Sequence, residues 1–214
     1  MSETVTPRQV TEAVPGWRVI SGALHVMVEC GSFPAALDLV HRVGALAEQH
    51  NHHPDIDIRY SRVHLSVVSH DVGQLTDRDV RFARAVSTLV DDAGFRTDPA
   101  ALTVADVAID AMDVARIRPF WLAVLGYREA GDNEIVDPDR LAPLVWFQQM
   151  DQPRTQRNRI HLDVDVPHDE AERRLQAALA AGGRLVTAQY APAWWVLADA
   201  EGNEACICTW QERD

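Results

Sequence analysis

Residues 48–70 read EQHNHHPDIDIRYSRVHLSVVSH, and how this stretch folds decides the first half of the chain. Upstream of it, from Phe33 to about Gln49, Phe33, Leu37, Val40, Gly44 and Ala47 recur every three or four positions, the period of a helix with one apolar stripe. Ser32 suits its N-cap and Pro34 its first turn. Asn51 is a common helix terminator, and Pro54 drives His53 out of the helical region. His52 and His53 therefore fall on a short extended segment just past a helix C-terminus, the end whose dipole favours a cationic imidazolium. Ile56–Tyr60 and Arg62–Ser69 then read as strands, with Val63, Leu65 and Val67 on one face and His64, Ser66 and Val68 on the other. His70 stands where the second strand runs out. Thr76 to about Asp92 reads as a helix burying Val80, Ala83, Val86 and Val90, and Thr76-Asp77-Arg78-Asp79 fits a capping box at its start.

Working back from this stretch, residues 1–15 form a short helix or arm that closes at Pro15-Gly16. Trp17–Ile20 and Ala23–Glu29 read as strands joined by a Ser21-Gly22 turn. On the second of these, His25 reads as a solvent-side residue. The first half is thus an α+β arrangement, a four-stranded antiparallel sheet covered on one face by three helices.

The chain has 214 residues, 47% of them hydrophobic, and a formal net charge of -12. Residues 1–98 carry 9 Arg against 13 acids and residues 99–214 carry 11 Arg against 19, so neither half offers the basic stripe that phosphates require, and no nucleic-acid partner is expected. All twenty basic residues are Arg, which excludes lysine Schiff-base chemistry and a P-loop lysine. Cys30, Cys206 and Cys208 are too few for a disulfide framework and read as reduced core thiols. The N-terminus lacks a signal-peptide pattern, and no run of about eighteen apolar residues occurs, so a cytoplasmic protein with no membrane partner is expected.

His52, His53, His64 and His70 lie within nineteen residues, and imidazole is the side chain whose ordinary pKa lies nearest neutrality. Such a constellation suits a reaction that both gives and takes protons. It is also compatible with uninvolved surface histidines, or with a metal site drawing on His50, Asp55 and Asp57, although no metal-ligand spacing is matched. Asp79 is explained cheaply as a helix cap. Glu48, three positions, His52-His53-Pro54, five positions, Tyr60, nine positions, His70, eight positions and Asp79 together resemble the active-site motif of pterin-4a-carbinolamine dehydratases. Pro15-Gly16-Trp17 and the run from Gly73 to Asp79 look similar to that family too, and the resemblance spans about residues 5–95. It implies a pterin substrate, His52 and His70 as the acid/base pair, and His53, Asp79, Glu48 and Tyr60 as residues that bind or orient the pterin. It implies no cofactor or metal, and a homodimer or homotetramer. Some members of the family also bind transcription factors, which leaves a protein-binding role open.

Gly94–Ala101, rich in Gly, Pro and polar residues, reads as a linker, placing the domains at 1–98 and 99–214. Beyond it the pattern restarts as two βαβββ units. The first has a strand at Val104–Ala111, a helix from Asp113 to Leu125 ending at Gly126, and strands near Glu134–Val136 and Leu144–Gln149. Pro119 is awkward inside that helix, which could begin as late as Arg116. The second has strands at Arg159–Val166, Arg184–Tyr190, Trp194–Ala198 and Ala205–Thr209, with a helix at Asp169–Ala181. Asp113, Phe120-Trp121, Leu125-Gly126-Tyr127, Asn158-Arg159-Ile160-His161-Leu162-Asp163 and the run from Asp199 to Glu204 resemble the glyoxalase/bleomycin-resistance (vicinal oxygen chelate) superfamily. By that resemblance the metal-ligand positions fall at Asp106, Gln148, His161 and Cys206. Only His161 is a standard ligand, Asp106 could coordinate, and a thiolate among hard oxygens is a poor design for magnesium, manganese or iron, so no bound metal is expected. Trp146, Trp194, Trp195 and Trp210 read as core, or as a surface for a planar ligand. The leading expectation is a dehydratase with an accessory glyoxalase-like domain. Its rival is a metal-dependent lyase or dioxygenase in the second half, with the first half serving dimerisation.

Overall fold

The computed structural model describes residues 3–153 and 161–212. It forms two compact units, Met1–Val104 and Ala105–Asp214. In the first, α1 (Pro7–Ala13), β1 (Arg18–Ile20), β2 (Ala23–Glu29), α2 (Phe33–His50), β3 (Asp55–Arg59), β4 (Arg62–Val67), α3 (Asp77–Asp92) and β5 (Arg96–Thr97) follow in order. The antiparallel sheet runs β1-β2-β4-β3. It has a fifth strand beyond the four expected, because β5 pairs with the end of β2 through Val28↔Thr97 and Glu29↔Arg96. Asp98 N–H also donates to the Met27 carbonyl, and a 3₁₀ turn spans Pro99–Ala101. The stretch that reads as a linker is therefore held against the first unit.

Leu24, Val26 and Val28 of β2 and Val63, Leu65 and Val67 of β4 bury one face of the sheet under Val10, Ala36, Leu39, Val43, Val80, Phe82, Val86 and Val90. The buried stripe of α2 is Ala36-Leu39-Val43-Ala47, not the one that begins at Phe33 and Leu37, which are 44% and 46% exposed. Both sets obey helical spacing. Apolar residues cover more than half the helix circumference, so spacing alone does not choose between them.

His25 also departs from expectation, being 8% exposed. Its Nε2–H donates to the Ile20 carbonyl at 3.2 Å, so its Nδ1 accepts from Nε2–H of His64 at 3.1 Å. Asp57 lies directly across from His64 on β3, Asp55 is two residues along, and Arg18 pairs with His25 on β1.

The second unit comprises β6 (Val107–Ala111), α4 (Val114–Leu125), β7 (Arg128–Glu129), β8 (Glu134–Val136), β9 (Val145–Gln149), β10 (Leu162–Asp165), α5 (Ala171–Ala180), β11 (Arg184–Thr187), β12 (Trp194–Ala198) and β13 (Glu204–Cys208). These are two βαβββ repeats with matching strand orders, β6-β9-β8-β7 and β10-β13-β12-β11. In each repeat the first strand lies parallel to the last. Pro119 sits inside α4, which nonetheless starts at Val114. The buried row Ile117, Phe120, Trp121 and Val124 and the Asp113 cap hold the helix through the missing bond. Gly183 is required by packing, since a Cβ there would lie 2.4 Å from Phe120 Cδ2. Asp199, fully buried, accepts from Trp121 Nε1, from the Glu201 and Asn203 amides and from Asn203 Nδ2, and so ties the β12–β13 turn to α4. Of the four tryptophans expected in the core, none is fully buried and Trp210 is 70% exposed, whereas the buried ones are Trp17 and Trp121. Asn158, Arg159 and Ile160 lie outside the described residues.

Burial holds His25 and His64 below the ordinary imidazole value of 6.5. His64 adds to the effect at His25, while Ile20, Asp55 and Asp57 oppose it. The unfolded chain then takes up protons near 6.5 and the folded chain only at lower pH. The stability the pair contributes is fully present above 6.5 and is lost as the pH falls below it. Urea midpoints should therefore drop between pH 7.5 and 5.5, and drop less in His64→Gln; an equal drop in both proteins would contradict this.

Candidate functional site

The first unit gathers its polar residues at one end of the sheet. α2 ends at Asn51, which adopts the left-handed conformation (φ 46°), and His52 N–H closes onto the Ala47 carbonyl. His52 and His53 thus leave the helix immediately before β3. Because β3 and β4 are antiparallel with Asp55 opposite Ser66, the end of β4 with Ser69 and His70 returns to this same edge. The N-terminus of α3 completes it.

Asp79, the third residue of α3, is fully buried and uses its two oxygens differently. Oδ2 accepts from Thr76 N–H at 2.7 Å, Ser69 Oγ–H at 2.7 Å and Thr76 Oγ1 at 3.2 Å, which closes the capping box. Oδ1 accepts from His52 Nε2 at 2.7 Å. A carboxylate acceptor places a ring proton on Nε2, so in the neutral ring Nδ1 carries the lone pair. Phe82, one helical turn beyond Asp79, packs nearly perpendicular to the rings of both His52 and His50. The imidazole is therefore fixed at two points by one face of α3. Asp71 lies nearby. The Arg78 guanidinium beside it holds its carboxyl below the usual range, with a smaller contribution from His52.

His53 is exposed and its Nε2 meets Glu48 Oε1 at 3.0 Å, one turn back on α2. His70 is exposed at the end of β4. Tyr60 does not join this group. It occupies the β3–β4 turn at φ 54° and is 76% exposed, at the far end of a five-residue strand, or about 16 Å of chain from the histidines. The sequence reading found Thr76 only as a helix cap, and missed Ser69 and Phe82. The signal for Ser69 was a hydroxyl at a strand end next to a capping box.

The second unit holds another cluster. His161 Nε2 lies 3.4 Å from Asp163 Oδ1, and the parallel register sets Asp163 directly beside Cys206. Ligand atoms of these three residues all fall within 4.8 Å of one another. Burial, and then the adjacent Asp163, push the Cys206 thiol up to about 12. Asp106 lies outside this cluster, exposed ahead of β6, and Gln148 is exposed on β9. Asp163 was quoted as part of the motif but not as a ligand position; the signal was the two-residue alternation that puts it on the same strand face as His161. Cys30, Cys206 and Cys208 are all free and buried. Among the described residues no helix is long and apolar enough to cross a membrane.

A family model described as pterin 4 alpha carbinolamine dehydratase matches residues 2–89, and one described as a glyoxalase-like domain matches residues 106–208. A relative from Acidobacterium capsulatum, provisionally named pterin-4-alpha-carbinolamine dehydratase, is 40% identical over 89 residues, which cover 40% of this chain and 97% of that protein. One of the same name from Thermomicrobium roseum is 39% identical over 87 residues, covering 41% and 94%. A solved glyoxalase/bleomycin resistance protein/dioxygenase family enzyme from Burkholderia phytofirmans is 21% identical, covering 49% of this chain and 98% of that one, with a TM-score of 0.40.

Removing the Asp79 side chain strips an acceptor from three buried donors as well as the cap. Asp79→Ala should destabilise the first unit by about 2–4 kcal/mol, and Ser69→Ala by about 1–2 kcal/mol, in chemical denaturation. Wild-type stability in Asp79→Ala would show that the network is not formed.

Proposed function

The chain belongs to the pterin-4a-carbinolamine dehydratase family through residues 2–89, and on that premise we propose that the first unit dehydrates a 4a-hydroxytetrahydropterin, with tetrahydrobiopterin as the parent pterin, to the quinonoid dihydropterin. The observation that carries the reading is the buried 2.7 Å bond from His52 Nε2 to Asp79 Oδ1, at the sheet edge where His53 and His70 also emerge.

The reaction loses water across the bond between C4a and N5. The proton leaves N5, the N5–C4a double bond forms, and the C4a–O bond breaks as the hydroxyl accepts a proton. It therefore needs one base and one acid of near-neutral character, and neither a metal nor a redox cofactor. His52 acts as the base through Nδ1, the nitrogen left with a lone pair when Nε2–H is committed to Asp79. The Asp79 carboxylate stabilises the imidazolium that results, and because the ring is already fixed by Asp79 and Phe82, no reorganisation is needed at the moment of transfer. His70, exposed at the end of β4, protonates the departing hydroxyl. His53, steadied by Glu48, contacts the pterin.

The working form is a homodimer or homotetramer, and the exposed Phe33 and Leu37 on α2 favour this, since they continue an apolar helix surface that the monomer leaves in water. In such an assembly Tyr60 serves a site only if it is brought there from another copy.

A stopped-flow dehydratase assay tests the reading. Wild type should accelerate the spontaneous dehydration, and His52→Ala and His70→Ala should each lose ~100-fold or more in kcat. Glu48→Ala, which breaks only an exposed pair, should lose far less. Failure of the wild-type protein to exceed the spontaneous rate would overturn the assignment.

A further inference from the structure

The glyoxalase-like resemblance of the second unit implies metal ligands at Asp106, Gln148, His161 and Cys206, and these four do not make a site for a hard divalent cation. Asp106 stands outside the cluster, Gln148 offers a neutral amide, and Cys206 offers sulfur where oxygen would be needed. A different set has closed around the same two strands. We propose that His161 Nε2, the Asp163 carboxylate and Cys206 Sγ bind one zinc ion, leaving the fourth position to water.

Topology and distance support this. His161 and Asp163 alternate onto one face of the segment that opens β10, and the parallel pairing with β13 puts Cys206 beside Asp163. The 3.4 Å separation of His161 Nε2 from Asp163 Oδ1 matches the edge of a tetrahedron with metal bonds of about 2.1 Å. One nitrogen, one oxygen and one sulfur make a borderline-soft set, suited to zinc and poorly suited to manganese or magnesium. Three protein ligands with an open fourth position is the arrangement of zinc sites that act on a bound water, not of closed structural ones. His161 and Asp163 are exposed while Cys206 is buried, so the ion would enter from the solvent side and rest on the sulfur.

Binding exchanges a proton for the metal. Coordination breaks the Cys206 S–H bond, forms Zn–S and releases one proton to solvent. Affinity should therefore rise with pH, and the heat of binding should depend on the buffer.

The test uses the full chain, stripped of metal with a chelator and titrated with cobalt(II) as a spectroscopic stand-in for zinc. The expected result is a near-ultraviolet sulfur-to-cobalt band that saturates at one ion per chain and is displaced by zinc. Cobalt taken up by the histidines of the first unit gives no such band. Cys206→Ala should abolish the band, and Asp163→Asn, an exposed and nearly isosteric change, should weaken zinc binding ~10-fold or more. Absence of the band in the folded chain, its survival in Cys206→Ala, or tighter binding of manganese than of zinc would each overturn the proposal.

Discussion

One buried carboxylate carries the architecture of the first unit's site. The two oxygens of Asp79 serve different segments of the chain. Oδ2 closes the N-terminus of α3, and Oδ1 accepts the hydrogen bond from His52. A carboxylate at 0% exposure is costly to desolvate unless its lone pairs are filled. Here Thr76, Ser69 and His52 fill them from a helix cap, a strand end and the loop after α2. Satisfying that group therefore requires all three to converge, and the local rule that starts a helix is the one that orients the imidazole.

The rest of the unit positions these segments. The antiparallel register of β3 and β4 returns the chain to the edge it left, so Ser69 and His70 arrive where His52 and His53 departed. The left-handed residue Asn51 ends α2 abruptly enough for His52 to turn inward while His53 stays in solvent with Glu48. Phe82 then packs the ring from the same helix that supplies its acceptor. The second unit builds its cluster by similar means, with strand parity placing His161 and Asp163 together and a parallel neighbour supplying Cys206. In both units, residues distant in sequence meet at the point where two strands are held in fixed register.

Much of this was legible in the sequence because local rules coincided with the fold. The Ser21-Gly22 turn, the Ser32 and Thr76 caps, the αL terminator Asn51 and the Gly126 helix end depend on backbone preferences that neighbours hardly alter. What escaped depended on long-range contact. Which stripe of α2 is buried is decided by the sheet, so Phe33 and Leu37 looked inward by spacing and face solvent instead. His25 looked solvent-facing by alternation, yet His64 on the neighbouring strand and the Ile20 carbonyl take up its nitrogens. Asp79 was legible as a cap but not as the partner of His52, since nothing local reports a bond across 27 positions. Tyr60 fits the motif's spacing, yet a hairpin carries it to the opposite end.

The central claim is that Asp79 fixes the tautomer of His52, leaving the lone pair of the neutral ring on Nδ1. Nitrogen-15 NMR of the imidazole side chains, with His52 assigned by its loss in His52→Gln, measures this directly. If Asp79 holds the proton on Nε2, the neutral His52 ring shows a pyrrole-like shift at Nε2 and a pyridine-like shift at Nδ1. A proton found on Nδ1, or averaged rapidly between the two nitrogens, would contradict it.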